Sequence, residues 1–340
     1  MTRILIIYTG GTIGMMVDPE TNVLMPLDFS QILARVPELD QLDYSLNIHS
    51  FKPIIDSSNV NPQLWISLAK LIGENYEAYD GFVILHGSDT MAYSASMLSF
   101  LFRNLTKPVV FTGSQLPIGE IRTDAKENLI TALEIAAFKN GNKAKVPEVC
   151  IYFDYQLYRG NRARKYNSQK FEAFHSPNYP VLAEAGVKLN FHTNNILQIP
   201  EGDFRIHETL ETKIQVLKLF PGISELTVKS ILDTPGLRAL VMETFGSGNT
   251  TTASWFLRAL EDGIQKGIII VNISQCEGGS VDMGRYETSR YLKEMGIVSG
   301  YDMTFEATIT KLMFLMGHNY SADTIKNMME TSLRGELTRN

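Results

Sequence analysis

Cysteine is nearly absent: Cys150 and Cys276 are the only two in 340 residues. That excludes a disulfide-dense secreted scaffold and any CxxC metal or redox centre, and each thiol is expected to be a lone buried one. No window of roughly 18 uncharged apolar residues occurs, so no membrane-spanning helix is predicted. The apolar stretch Ile4 to Tyr8 is too short to span, and a glycine-rich turn follows it rather than a small-residue cleavage site, so a cytoplasmic protein is expected. Basic blocks are missing too. Lysine and arginine number 31 against 37 aspartates and glutamates, a net charge of −6, which argues against nucleic acid or an anionic membrane as the main partner. Short repeats and low-complexity tracts are also lacking.

The length allows one large domain or two ordinary ones, with enough buried surface for a core that needs no staples. Short apolar runs at Ile4 to Tyr8, Phe82 to Leu85, Val109 to Thr112 and Val149 to Phe153 read as strands. Ala92 to Leu105 and Ala125 to Phe138 are long enough for crossover helices, and Leu64 to Ile72 keeps Leu64, Leu68, Leu71 and Ile72 on one face. Continuous apolar strands alternating with helices predict a covered, mostly parallel α/β sheet. Beyond Pro180 the texture changes, and 186–212 reads as a long connection or irregular hairpin. The pattern then restarts with strands at Val216 to Leu219, Ala239 to Met242 and Ile268 to Ile273, and helices at Ser254 to Ile264, Phe305 to Leu315 and Ala322 to Ser332. Two unequal α/β domains are therefore expected: 1–185, a connection at 186–212, and a smaller Rossmann-like domain at 213–340.

The informative residues sit at strand ends. Thr9-Gly10-Gly11-Thr12-Ile13-Gly14 follows the first strand, where paired glycines permit a sharp turn and close ligand approach; the spacing is neither a dinucleotide fingerprint nor a phosphate loop. His86-Gly87-Ser88-Asp89-Thr90 follows the second strand. Asp89 or Thr90 is expected to cap the next helix, but capping requires only one of them and leaves Ser88 beside a carboxylate. His86 reads as a packed or loop-bonded histidine. Asp56-Ser57-Ser58-Asn59 and Thr112-Gly113-Ser114-Gln115 are two further polar turns, and convergence of all four at one sheet edge would form a pocket of donors and acceptors. Arg159-Gly160-Asn161-Arg162-Ala163-Arg164-Lys165 is a basic run, usually a solvated face. Buried beside Asp89, Lys165 would serve as a base toward a hydroxyl if desolvation or cations such as Arg162 and Arg164 offset the carboxylate.

TGGTIG at 9–14, HGSDTMAYSAS at 86–96, TGSQLP at 112–117, RGNRARK at 159–165, GSGN at 246–249 and LRGELT at 333–338 together resemble the bacterial-type L-asparaginases, especially their cytoplasmic type I branch. The resemblance covers essentially the whole chain. It implies a larger N-terminal and a smaller C-terminal α/β domain, assembly as homodimers or dimers of dimers (homotetramers), and hydrolysis of L-asparagine to L-aspartate and ammonia with no metal or organic cofactor. By the same resemblance Thr12 is the nucleophile, and Ser88, Asp89 and Lys165 complete the catalytic set. Ser57 receives the substrate α-carboxylate, with Ser58 beside it and Asp89 on the ammonium. The Ser114 carbonyl meets the side-chain amide, and Asn249 reaches the neighbouring subunit's site.

Three departures from the family pattern stand out. Ser88 replaces a threonine, keeping the hydroxyl but losing the methyl that restricts its rotamer. The lid, Met15 to Leu27, lacks the tyrosine that orients the nucleophile in many members, and Leu24 cannot replace it. Glu243 stands where some cytoplasmic members carry an effector-binding arginine; an unpaired carboxylate there would repel an effector's carboxylate, although Cys276 is present as in that branch. Secondary glutaminase activity is expected, because one methylene is worth only ~1–3 kcal/mol in a slot. Two other readings are a transfer-RNA amidotransferase subunit, which resembles this chain plus an N-terminal extension, and a non-enzymatic amino-acid sensor on the same scaffold. A sensor needs a carboxylate and donors but not two hydroxyls and a lysine.

Overall fold

A computed structural model gives the structure of residues 1–17, 21, 24–26, 36–284 and 287–339. It divides into two compact units, Met1–Glu208 and Thr209–Asn340.

The first unit is built on an eight-stranded sheet. In chain order its elements are β1 (Thr2–Tyr8), β2 (Tyr44–Ser50), α1 (Pro62–Asn75), β3 (Gly81–Leu85), α2 (Met91–Leu101), β4 (Val109–Thr112), α3 (Ala125–Ala137), β5 (Val149–Phe153), β6 (Gln156–Arg159), β7 (Arg164–Lys165), β8 (Phe174–His175), β9 (Ala183–Ala185) and β10 (Leu189–Phe191). The sheet runs β10-β9-β6-β5-β4-β3-β1-β2. Strands β2, β1, β3, β4 and β5 are parallel, and β6, β9 and β10 continue it antiparallel. The strands read from sequence are the ones buried throughout, as parallel strands covered by helices must be. The polar edge strand β2 has no residue fully buried, so it carries no apolar run to betray it.

Helix α1 starts where Asn61 accepts hydrogen bonds from the backbone N–H groups of Gln63 and Leu64 and Pro62 occupies the first turn. It buries Leu64, Leu68 and Ile72. Helix α2 stops at Leu101, short of the expected Leu105: Phe102–Arg103 turn into a short strand against Arg205–Ile206, and Asn104 adopts a left-handed φ of 55°. The expected cap at Asp89 or Thr90 is not made by either side chain; the Thr90 hydroxyl instead donates to the Ser57 carbonyl at 2.8 Å. In 186–212, β10 pairs back onto β9, just before that stretch, as a hairpin on the sheet edge, and residues to Glu208 pack with the first unit.

The second unit carries a four-stranded all-parallel sheet, β11 (Ile214–Lys218), β12 (Ala239–Thr244), β13 (Ile269–Ser274) and β14 (Val298–Ser299), in that order. Its helices are α4 (Glu225–Leu232), α5 (Ser254–Gln265), α6 (Glu287–Glu294), α7 (Phe305–Met316) and α8 (Ala322–Met329). Ser224, Thr304 and Ser321 cap α4, α7 and α8 with their hydroxyls. Leu240, Met242, Phe256, Leu260 and Ile270 form the centre of its core. Cys150 is buried but Cys276 is exposed, contrary to the expectation of two buried thiols: it lies past the carboxyl end of β13, outside the apolar strand. Among the described residues no helix is long and apolar enough to cross a membrane.

Candidate active site

Chain order reverses in the first sheet between β1 and β3, which leave in opposite directions toward β2 and β4. In parallel sheets such a reversal opens a crevice beyond the carboxyl ends of the strands. Thr9 seals its floor, donating through its N–H and its hydroxyl to the Leu85 carbonyl at 3.0 and 2.9 Å. Four turns meet above it because their glycines have no side chains. A Cβ on Gly11 would fall 2.5 Å from the Gly87 nitrogen, and one on Gly87 2.6 Å from Ser57; one on Gly113 would fall 2.5 Å from the His86 carbonyl oxygen. Gly11 is held at a φ of 95°, which a larger residue adopts only under strain.

Thr12 opens a single 3-10 turn, Thr12–Gly14, and is partly exposed. Beneath it the buried Tyr8 hydroxyl donates to the Gly14 carbonyl at 3.2 Å, and burial pushes the phenol up to about 12, keeping it a donor. Within 15–27, residues 18–20, 22–23 and 27 and the side chain of Leu24 lie outside the described residues. Its two ends, Met15–Val17 and Leu24–Pro26, pair antiparallel.

Ser88, Asp89 and Lys165 come together. The Lys165 ammonium donates to the Ser88 hydroxyl at 2.8 Å and to the Asp89 carboxylate at 2.6 Å. Lys165 reaches them from β7, which pairs with β8 across Lys165 and Phe174. The preceding turn packs against α2, where Gly160 leaves 3.0 Å between an added Cβ and the Ala95 methyl. The basic run is not a solvated face: Arg159 and Arg162 are only 3% and 1% exposed. Arg159 pairs with the buried Glu148 at 2.6 Å, and both guanidinium groups stack over Tyr179. Burial thus falls on the segment that delivers the lysine.

His86 is packed, as its sequence context implied. Its Nδ1 lies 2.7 Å from the Gly87 carbonyl, which only accepts, so Nδ1 bears the proton. Nε2 then accepts from the Ser94 hydroxyl at 2.9 Å, and Ser94 in turn accepts the Trp65 indole N–H at 2.9 Å. Full burial drives its pKa down to about 4 against a smaller opposing effect of the Gly87 bond, so it stands neutral.

Ser57 is buried beside Gly87, while Ser58 is exposed and its hydroxyl is spent on Asp56 at 2.6 Å. The Ser114 hydroxyl is likewise spent, on the Leu116 carbonyl at 2.5 Å. Asn249 lies in the second unit, in a turn closed by its N–H on the Phe245 carbonyl at 2.8 Å. Glu243 is not the unpaired carboxylate expected: the Lys218 ammonium on the neighbouring strand lies 3.9 Å away.

Sequence reasoning placed Gln115 in one of the converging polar turns without giving it a role, and missed Asp124 and Asn128. The Gln115 amide spans from the Ser88 hydroxyl, 3.5 Å from its oxygen, to the Lys170 carbonyl, 2.8 Å from its nitrogen. Asp124 and Asn128 are one helical turn apart at the start of α3, just past the TGSQ turn, and that spacing was the available signal. Among the described residues no three His, Cys, Asp or Glu side chains gather as a metal ligand set.

A family model described as "Asparaginase, N-terminal" matches residues 3–197, and one described as "Glutaminase/Asparaginase C-terminal domain" matches 213–329. L-asparaginase 1 of Escherichia coli K12 is 41% identical over 336 residues, 98% of each chain. The crystal structure of L-asparaginase I from Vibrio cholerae superposes with a TM-score of 0.91 at 41% identity, covering 99% of both chains. The thermostable L-asparaginase of Thermococcus kodakarensis gives a TM-score of 0.91 at 31% identity over the whole of both chains.

Proposed function

The chain belongs to the asparaginase family, and from that premise we propose that the crevice between β1 and β3 hydrolyses L-asparagine to L-aspartate and ammonia, with Thr12 as nucleophile. The chain is an asparagine amidohydrolase. The observation that carries the assignment of residues is the Lys165 ammonium bonded at once to Ser88 and Asp89.

A carboxamide is a poor electrophile with a poor leaving group, so the site must activate a nucleophile and protonate the departing nitrogen. Thr12 Oγ attacks the side-chain carbonyl carbon, passing its proton through the Ser88 hydroxyl to Lys165, which takes this step as the neutral amine. Backbone N–H groups at Thr12 and Ser88 hold the oxyanion. Collapse breaks the C–N bond as the relay returns a proton to nitrogen, and ammonia leaves a β-aspartyl ester on Thr12. Water then attacks the ester and Thr12 recovers its proton. Asp89 meets the substrate ammonium, Ser57 the α-carboxylate and the Ser114 carbonyl the amide. The Ser58 hydroxyl, spent on Asp56, acts through that turn.

The protein's proposed state is a homodimer or pair of dimers in the cytoplasm, supported by the resemblance to the type I branch, with Asn249 completing the neighbouring site. Glutamine is a weaker proposed substrate on the one-methylene argument. Ammonia release from millimolar asparagine tests the reading, with a chelator present to test the proposed independence from metals. Binding without ammonia release would replace it with the sensor reading, and activity lost to the chelator and restored by zinc would replace the metal-free mechanism.

A further inference from the structure

Asp124 grips one face of the TGSQ turn. Its carboxylate accepts the Gln115 N–H at 2.9 and 3.1 Å, the Leu116 N–H at 3.1 Å and the Asn128 amide at 3.3 Å. Asn128, fully buried, donates to the Gly113 carbonyl at 3.0 Å and accepts the Asp154 N–H at 3.1 Å, which fixes the orientation of its amide. Three backbone groups of 113–116 are therefore held by two side chains, Asp124 at the N-cap of α3 and Asn128 in its first turns.

The Ser114–Gln115 peptide is trans, so its N–H and C=O point in opposite directions. With the N–H on Asp124, the Ser114 carbonyl must leave on the face away from α3. That face meets the Ser88 turn: Gly113 backs onto the His86 carbonyl, and the Gln115 side chain reaches the Ser88 hydroxyl. The Ser114 hydroxyl is committed to Leu116, leaving its carbonyl as the group presented.

We infer that Asp124 and Asn128 are positioning residues that set the direction and acceptor strength of the Ser114 carbonyl, and through it the discrimination between a carboxamide and a carboxylate. The inference rests on the asparaginase reading above. A carboxamide has N–H groups to give that carbonyl, whereas the product carboxylate has only lone pairs and is repelled. Hydrogen bonding of the Gln115 N–H to an anion polarises the peptide and strengthens its oxygen as acceptor. The departing nitrogen gains protons on its way to ammonia, so this contact strengthens in the transition state and acts on kcat.

The test uses the full chain: ammonia release, asparagine KM and aspartate Ki for the parent and for Asp124→Asn, with thermal unfolding alongside. Asp124→Asn is expected to fold, to lose about tenfold or more in kcat, and to lower the ratio of aspartate Ki to asparagine KM. Loss of activity with that ratio unchanged would mean a merely structural role and overturn the inference, as would unchanged kcat and ratio. If Asp124→Asn does not fold, Asn128→Ala, which leaves the carboxylate in place but frees the Gly113 carbonyl, decides on the same readouts. An inactive parent sinks the asparaginase reading and this inference together; an active parent with an indifferent folded variant sinks this inference alone.

Discussion

Lys165 and Asp89 touch at 2.6 Å, yet the lysine side chain is 14% exposed and the aspartate 66%. The pair is lopsided: the cation is sheltered against β8 and the Ser88 turn while the anion opens to solvent. The sheltered Lys165 ammonium holds the Ser88 hydroxyl and the Asp89 carboxylate in one geometry. An open carboxylate can accept a substrate ammonium without the lysine moving.

Lys165→Met and Thr12→Ala should each fold and lose turnover by about 10²–10⁴-fold or more, the size expected for removing acid–base or nucleophilic participation. Circular dichroism and ammonia release measure the two halves of that statement. Intact-mass analysis after rapid quench should find the ester on Thr12. An ester on Ser88 would exchange the two hydroxyls' roles.

His86 should set part of the acid limb of stability. Its pKa falls from 6.5 to about 4 in the folded chain, through burial outweighing the Gly87 bond, so below 6.5 the unfolded chain takes up a proton that the folded one refuses. The contribution is whole above pH 6.5 and is lost as pH falls through about 4, a drop on the order of 3 kcal/mol. Urea unfolding across that window should show a shallower slope for His86→Gln. An equal slope removes His86 as the cause.

In the second unit Lys311 and Glu336 pair at 2.5 Å with neither side chain exposed. Lys311 also donates to the Met329 and Thr331 carbonyls, and Glu336 accepts the Leu333 and Arg334 N–H groups, so the LRGELT motif is a C-terminal anchor. Burial pushes the Glu336 carboxyl up, but Lys311 and the N–H donors together hold it below its ordinary 4.5. Its stabilisation is therefore whole above pH 4.5 and is lost as pH falls through the lower folded value. Lys311→Met should cost about 3–5 kcal/mol by stranding a buried carboxylate. Mild acid should return part of that loss in the variant, whereas it weakens the parent; denaturant titrations at two pH values that show the same trend in both would mean the pair is unimportant.

Asparagine saturation should be near-hyperbolic, with a Hill coefficient of about 1. Glu243 and Lys218 neutralise one another where a lone cation would hold an effector's carboxylate, so an effector has little differential affinity to spend on shifting conformations. Kinetics should be read where light scattering shows the proposed oligomer. A coefficient of about 2, abolished by a substitution outside the Thr12 crevice, would reveal an effector site built from other residues.

Much of the scaffold was legible because its signals are local. Ile4 to Tyr8 and Val149 to Phe153 are continuous apolar runs that only a covered strand accommodates, and glycines such as Gly11 mark turns that neighbouring residues already dictate. The same locality made β2 hard to see, since its polar side chains report an edge rather than a period. Which turns meet was another matter. Ser88 and Lys165 stand 77 positions apart, and no pattern within either segment encodes the 2.8 Å between them. Sequence allowed the basic run to be solvated, and tertiary packing buried Arg159 and Arg162 instead. It allowed Ser58 and Ser114 to offer hydroxyls, and the folded turns consume both internally. It was silent on Asp124, three of whose four bonds are to backbone N–H groups carrying no residue identity at all. Residue chemistry and chain-local geometry determined what could be present in the crevice; long-range packing, which alone decides which donors and acceptors are left facing it, determined what is.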